Sequence, residues 1–328
     1  MKPRFPARQR GVAVVTALLL TTLAVSIVAS LFWQQQVQVR SMENQRLHFQ
    51  TRWILRGGLD LVRLILRQDL MDNRMVTRAD GIWATPLAET RLDQFVERER
   101  IEGETFDASI SGQTYDAQSR YNLANLAIVG GAGGINRAQL AVFTRLLQNL
   151  QLNPALAQVV ATQVARSEGA GLLAQSGPPQ PNVLPVQAGN GQPMKMLRPE
   201  DLLSVAGFDQ KAIEKLREFV VVLPQAQTPI NVNTAPAELL GALAPGMATA
   251  EGQALLAARK RTPYMNKQAF EAQMTSLGKT LQPDVEVDTR SDYFLVLSRV
   301  KLDRAELMSW SLVHRAQNGT QIVWIREI

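Results

Sequence analysis

No charged residue occurs between Arg10 and Arg40, and within that gap residues 12–33 are apolar except for a few threonines and serines. The run is close to the ~20 residues a helix needs to cross a hydrocarbon core about 30 Å thick. Lys2, Arg4, Arg8 and Arg10 precede it with no acid among them. By the positive-inside rule the N-terminus stays in the cytoplasm and the rest of the chain is sent outward. Trp33 closes the run at the far interface, where an indole sits well. Hydrophobic residues make up 46% of the 328 positions, an ordinary value for a soluble protein. The membrane part is therefore confined to this one span, and the remainder is long enough to bury a core of its own.

Three readings compete for the span. A secretory signal peptide has a shorter apolar stretch that ends in a small-x-small cleavage site. Here the stretch is long, and Ala24, Ser26 and Ala29 lie inside it. A plain N-terminal anchor is the simplest alternative. The third reading uses Gly11, because a basic leader that ends in glycine directly before an uncharged helix resembles the prepilin signal. That signal is cut on the cytoplasmic side, so residues 1–11 leave and the helix stays, beginning at Val12. The net charge of +6 then falls to +2, since the leader carries four cations and no acid. A charge that small makes no steering field towards nucleic acid. Cysteine is absent, which removes disulfides, thiolate metal sites and a cysteine nucleophile.

From residue 34 to about 70 there is no proline, and Val37, Val39, Leu47, Phe49, Trp53, Ile54, Leu61, Ile65 and Leu66 recur at mixed three- and four-residue spacing. A helix over 12–70 would be roughly 88 Å long, with Gly57-Gly58 able to loosen it or admit a close neighbour. Residues 80–110 are turn-rich, with a strand predicted over 106–110. Gly130 to Gly134 reads as a loop, and helices are predicted from 136 to about 150 and from 153 to about 166. Glycine and proline crowd 169–199, which reads as a long loop. A weak repeat follows. Pro199-Glu-Asp-Leu-Leu leads to Gly207, and Pro236-Ala-Glu-Leu-Leu leads to Gly246, each succeeded by a short helix, 210–220 and 250–261. The period then drops to two over 293–302, 306–314 and 321–326, with Asn318-Gly319 as the last turn. A sheet holding both the 106–110 region and the last three strands makes residues 120–280 an insertion.

The whole resembles the K-type minor pseudopilins of type II secretion. Four stretches carry the resemblance: the RGVAVVTALLL start at Arg10; Asp116 followed by Arg120-Tyr-Asn-Leu-x-Asn-Leu126; LRPEDLLSVAGF from Leu197 to Phe208; and Asn231-Val-Asn-Thr-Ala235. The resemblance implies an α+β fold in which a long N-terminal helix packs on an antiparallel sheet, with a large helical domain inserted. Its divisions are a leader over 1–11, a transmembrane helix over 12–33, helix and first pilin-like part over 34–119, the insertion over 120–280, and C-terminal strands over 281–328. It also implies cleavage between Gly11 and Val12 by prepilin peptidase, and methylation of the new Val12 amine. The protein would cross the inner membrane once, with a periplasmic head at the pseudopilus tip beside I- and J-type minor pseudopilins, where secreted proteins are within reach. No enzymatic role is implied. Most pilins carry Glu at the fifth mature position, and here that position is Thr16. A carboxylate in the bilayer costs about 2.5–3.5 kcal/mol by insertion scales, and in ordinary subunits it meets a neighbour's N-terminal amine. Thr16 fits a subunit with nothing above it.

The family's acidic calcium loop is eroded, since residues 166–193 hold one acid, Glu168, and calcium wants six to eight oxygens. Neither calcium nor another cofactor is assigned. Asp284, Glu286, Asp288 and Asp292 read as solvated residues on an edge strand. Asp116, Asn122 and Asn125 read as short polar residues that tie a loop to its own backbone. His48 and His314, the only histidines, sit far apart in sequence and support no triad or zinc site. The rival reading is a membrane-anchored helix-hairpin-helix DNA-binding protein of the competence-receptor kind, whose hairpin would present amides to phosphate. Pro245-Gly246-Met247-Ala248 lacks that hairpin's second glycine, although Arg259, Lys260 and Arg261 follow.

Overall fold

The computed structural model describes residues 10–93, 107–128, 134–169, 182–186 and 192–328. The proline-free N-terminal pattern folds as one helix, α1 (Arg10–Asp72, 63 residues), roughly 95 Å long. Gly57 and Gly58 do not interrupt it. A side chain on Gly58 would meet the Ile110 side chain at 2.3 Å, so glycine lets α1 lie close on the sheet there. Leu55, Leu59 and Leu66, spaced by four and seven, are the apolar residues α1 buries, with Thr51 one turn before them. Arg52 pairs with Glu327 at 2.8 Å and Arg63 donates to the Thr320 carbonyl at 2.8 Å, fixing the helix beside the last strand.

In chain order the strands are β1 (Leu87–Arg91), β2 (Ala108–Asp116), the short pairs β3 (Tyr121–Asn122), β4 (Ala127–Ile128), β5 (Gly134–Asn136), β6 (Val183–Leu184), β7 (Val220–Val221), β8 (Ile230–Asn231) and β9 (Val287–Asp288), then β10 (Tyr293–Leu302), β11 (Ala305–Ala316) and β12 (Gly319–Glu327). The main sheet runs β1-β2-β10-β11-β12, antiparallel throughout. The strand predicted over 106–110 is longer than its apolar part, because β2 pairs with β10 along its whole length, from Ala108 opposite Leu302 to Asp116 opposite Phe294; Phe106 lies outside the described residues. The last turn is Gln317-Asn318, one residue earlier than the sequence suggests, and Gly319 opens β12 at φ +152°.

β10 is buried on both sides because the sheet serves two cores. Phe294, Val296 and Val300 pack with α1, while Tyr293 and Leu295 pack with Val221 and Leu223 on the other face. Residues 117–292 leave the sheet at the end of β2 and return at the start of β10. They carry α2 (Arg137–Asn149), α3 (Leu156–Ser167), α4 (Gln210–Leu216), α5 (Ala237–Leu240), α6 (Thr249–Arg261) and α7 (Lys267–Ser276). Their separate core includes Tyr121, Phe143, Leu146, Leu216, Leu240 and Phe270. Asn136 caps α2 through the Gln139 amide, Asp209 caps α4, and Asn266 caps α7, a helix the sequence reading passed over. Of the two repeat copies, the one at Pro199 folds as a 3-10 turn over Pro199–Ser204 and the one at Pro236 as α5. Both end on a left-handed glycine, Gly207 at φ +100° and Gly246 at φ +65°.

Where α6 crosses α5, a side chain on Gly252 would lie 2.0 Å from the Ala237 carbonyl oxygen. Backbone fills that space, so nothing flexible can give way. Gly252→Ala is expected to lower stability by about 1–3 kcal/mol as an overpacked contact, measured by urea unfolding. An unchanged midpoint would mean the two helices separate freely.

Candidate functional site

The N-terminal half of α1 offers only surface. Its most apolar 18-residue stretch has a mean hydropathy of 2.5 and none of it is buried by the rest of the chain. The Thr16 hydroxyl donates to the carbonyls of Val12 at 3.0 Å and Ala13 at 3.1 Å. Thr21, Thr22 and Ser26 do the same one turn back. These hydroxyls are spent on their own helix, which is how polar side chains are tolerated in lipid. The peptide bond between Gly11 and Val12 falls in the first turn of α1; residues 1–9 lie outside the described residues.

Beyond the span, α1 has two apolar faces. At 100° per residue, Leu55, Leu59 and Leu66 point one way, into the sheet. Met42, Phe49, Trp53, Leu64 and Met71 lie roughly 100–160° round the helix from them, on a second face, and each is more than half exposed. The Arg56 guanidinium lies 5.3 Å from the Trp53 ring.

Two of the four motif stretches, those at Asp116 and Asn231, meet in a buried polar junction where the helical part joins the sheet. Asp116, the last residue of β2, is its centre. One carboxylate oxygen accepts the Gln118 amide at 2.8 Å. The other accepts Asn231 Nδ2 at 3.0 Å, the Thr234 hydroxyl at 2.5 Å and the Ser291 hydroxyl at 2.6 Å. Burial pushes the Asp116 carboxyl above the usual range, against the downward pull of these four bonds. Asn231 also reaches the Thr77 carbonyl and Ser291. Asn233 exchanges two bonds with the Tyr264 backbone, tying the Asn231-Val-Asn-Thr-Ala235 stretch to the segment that follows α6.

Asn122 and Asn125 do more than bind their own loop. Asn122 takes the Ala124 amide locally, but it also accepts the Leu223 amide at 3.0 Å and donates to the Gln225 carbonyl at 2.8 Å. Asn125 clamps the backbone of Thr228 through both its amide and its carbonyl. The expectation of a purely local role is corrected here: these side chains hold a segment a hundred positions away, because it carries backbone groups that no strand partner satisfies.

Sequence reading missed the neighbour of this cluster. Arg315 is fully buried on β11, 4.7 Å from the Phe294 ring. Its guanidinium donates to Asp69 at 2.6 Å, the Leu66 carbonyl at 3.4 Å, and the Thr77 hydroxyl and Ser291 carbonyl at 2.7 Å each. The signal was parity. Leu307 and Val313 face α1 from the same strand, so an arginine two residues after Val313 faces the same way.

The rival sites come apart. In the 245–248 hairpin the Ala248 amide is taken by the Glu251 carboxylate at 3.0 Å, and Lys279 sits on the Gly246 carbonyl. An internal anion thus holds an amide a phosphate would need. Arg259 turns inward to the carbonyls of Val232 and Ala235, and burial pulls it down to about 10. His314 stacks on Tyr293 with ring centroids 4.6 Å apart, while His48 lies exposed on α1. Of the alternating acids only Asp288 stands on a strand, β9 with β8 as its single partner; Asp284 is in a left-handed turn and Asp292 pairs with Arg290. Among the described residues no group of three or more His, Asp or Glu could hold a metal ion. Gly130 to Gly133 and residues 170–181 and 187–191 of the long loop lie outside the described residues.

Two family models described as type II secretion system protein K match residues 119–225 and 230–288. The type II secretion system protein K of Pseudomonas aeruginosa is 30% identical, covering 98% of this chain and 93% of that protein. Those of Klebsiella pneumoniae, 28% identical over 94% of this chain, and Aeromonas hydrophila, 24% over 92%, are also similar. Among solved structures, a chain of the GspK-GspI-GspJ complex from the enterotoxigenic Escherichia coli type 2 secretion system shares the fold. Its TM-score is 0.62 at 19% identity, covering 88% of this chain and 99% of that one.

Proposed function

The chain belongs to the type II secretion protein K family, and from that premise we propose that this minor pseudopilin stands at the tip of its pseudopilus, where it initiates or caps assembly. The observation that carries the reading is α1: an apolar anchor at one end, then a half with one face on its own sheet and a second apolar face left open. A filament subunit needs that second face, because its neighbours are helices of the same kind. The protein is a structural subunit with a single-pass anchor.

Several finer points belong to this proposal. The head lies in the periplasm and the N-terminus in the cytoplasm, as the four leader cations favour. Prepilin peptidase cuts between Gly11 and Val12, and the new Val12 amine is methylated. The open face of α1 meets I- and J-type minor pseudopilins, a reading supported by the similar chain's presence in a GspK-GspI-GspJ complex. Residues 120–280 form the inserted domain, whose bulk above the sheet leaves no room for a further subunit. Thr16, already bonded to its own helix, offers no carboxylate to an amine from above.

Immunogold labelling of overproduced pseudopili tests the placement. Label is expected at one end of each filament, and label spread along the length would refute it. Thr16→Glu alone should leave the labelling terminal, because the bulky head remains.

A further inference from the structure

On the sheet face away from α1, a cleft of about 460 Å³ opens between β12 and the helical part. Its walls include Leu123, Val164, Met196, Val222, Leu223 and Trp324. That size and apolar character are typical of sites that take a small ligand or a few residues of a peptide. The charges around it are unevenly used. Lys195 pairs with Glu168 at 2.6 Å, and Arg198 pairs with Asp201 at 3.1 Å. Arg326 lies on the wall with its guanidinium 4.0 Å from the Trp324 ring centroid, and among the described residues no carboxylate bonds to it. Stacking fixes the plane of the guanidinium and leaves its donors free for a planar anion.

We propose that this cleft receives the C-terminal end of another polypeptide, with apolar side chains against Val164, Val222 and Leu223 and the terminal carboxylate on Arg326. A chain end is the better occupant than a loop. It brings one run of backbone into an apolar space, where a loop must bring two and leave more polar groups unpaired. A carboxylate pairs with guanidinium through two parallel bonds, which a neutral amide cannot copy. Burial and the nearby Arg198 both pull the Arg326 pKa down, while Asp201 and Glu200 oppose them. An arriving carboxylate therefore answers a cation short of partners. The Gln227 backbone, on the same wall, is left-handed at φ +58°, a strained conformation of the kind that gathers at binding sites.

The test is calorimetric titration of the detergent-solubilised full chain with acetyl-Leu-Val-Phe as free acid and as C-terminal amide. The acid should bind roughly tenfold or more tightly than the amide. Arg326→Gln should erase that preference, and Ala226→Trp, which places an indole in the cleft from a half-buried position, should abolish both. Thermal melts of both variants should stay at the parent value, which separates loss of binding from loss of fold. Equal binding of acid and amide, a preference that survives Arg326→Gln, or no binding of the acid at millimolar concentration would each overturn the proposal.

Discussion

Arg315→Ala is expected to cost about 3–5 kcal/mol of stability, the range for removing one partner of a buried ion pair. Few single substitutions reach that size, and the reason here is what the arginine leaves behind. Asp69, with 18% of its side chain exposed, loses the cation that compensates it. The Ser291 carbonyl and Thr77 hydroxyl lose donors at 2.7 Å in a site that the parent keeps fully buried. The loss should spread. Ser291 also bonds Asp116 and Asn231, and the Thr77 carbonyl accepts from Asn231, so the junction between sheet and helical part loosens as a unit. Arg315→Lys keeps one bond to Asp69 but cannot span the other acceptors, so it should fall between parent and Ala. Urea unfolding followed by tryptophan fluorescence measures the series. A cost below about 1 kcal/mol for the Ala variant would mean that the network is incidental.

The sequence made some of this fold plain and hid the rest for physical reasons. α1 and β10 to β12 were legible because each repeats a simple period over many residues, and errors at single positions average out. β1 was not. Four of its five residues are exposed, it holds Glu89 and Arg91, and it exists only because β2 offers it backbone partners. The 3-10 form of the Pro199 copy was equally hidden, since its sequence nearly repeats the Pro236 copy and the difference is tertiary. At the junction the sequence pointed to Asp116, Asn122, Asn125 and the Asn231 block as polar and unusual. It could not say that Ser291 closes on the Asp116 carboxylate while Thr77 and Arg315, each unremarkable in its own segment, hold the Ser291 backbone.

Gly11→Val is expected to leave almost all of the protein uncleaved, and Gly11→Ala to slow maturation strongly. The basic leader, the glycine and the unbroken apolar helix that follows motivate this reading. A protease must seat the backbone around the bond it cuts, and a glycine gives no side chain to obstruct that approach. The folded head should be indifferent, because it first touches α1 about thirty residues later, where Arg304 bonds Glu43 and Asn44, and buries α1 only from Thr51 and Leu55 onward. Loss of function would therefore be loss of assembly. Such cleavage would expose a positive amine at the N-terminus of α1, the end where the helix dipole disfavours a cation, and in a bilayer an amine of that kind seeks an anion. Thr16 supplies none within its own chain, since its hydroxyl serves the carbonyls of Val12 and Ala13. The amine must then look to an adjacent subunit, while this chain offers nothing to the amine of a subunit above. Processing at Gly11 would thus give the protein a single polar connection at membrane level, directed one way, as the proposed place at an end requires. N-terminal sequencing of membrane-extracted protein decides it: a start at Val12 in the parent and at Met1 in Gly11→Val is the expected pair, and a parent that starts at Met1 ends the argument.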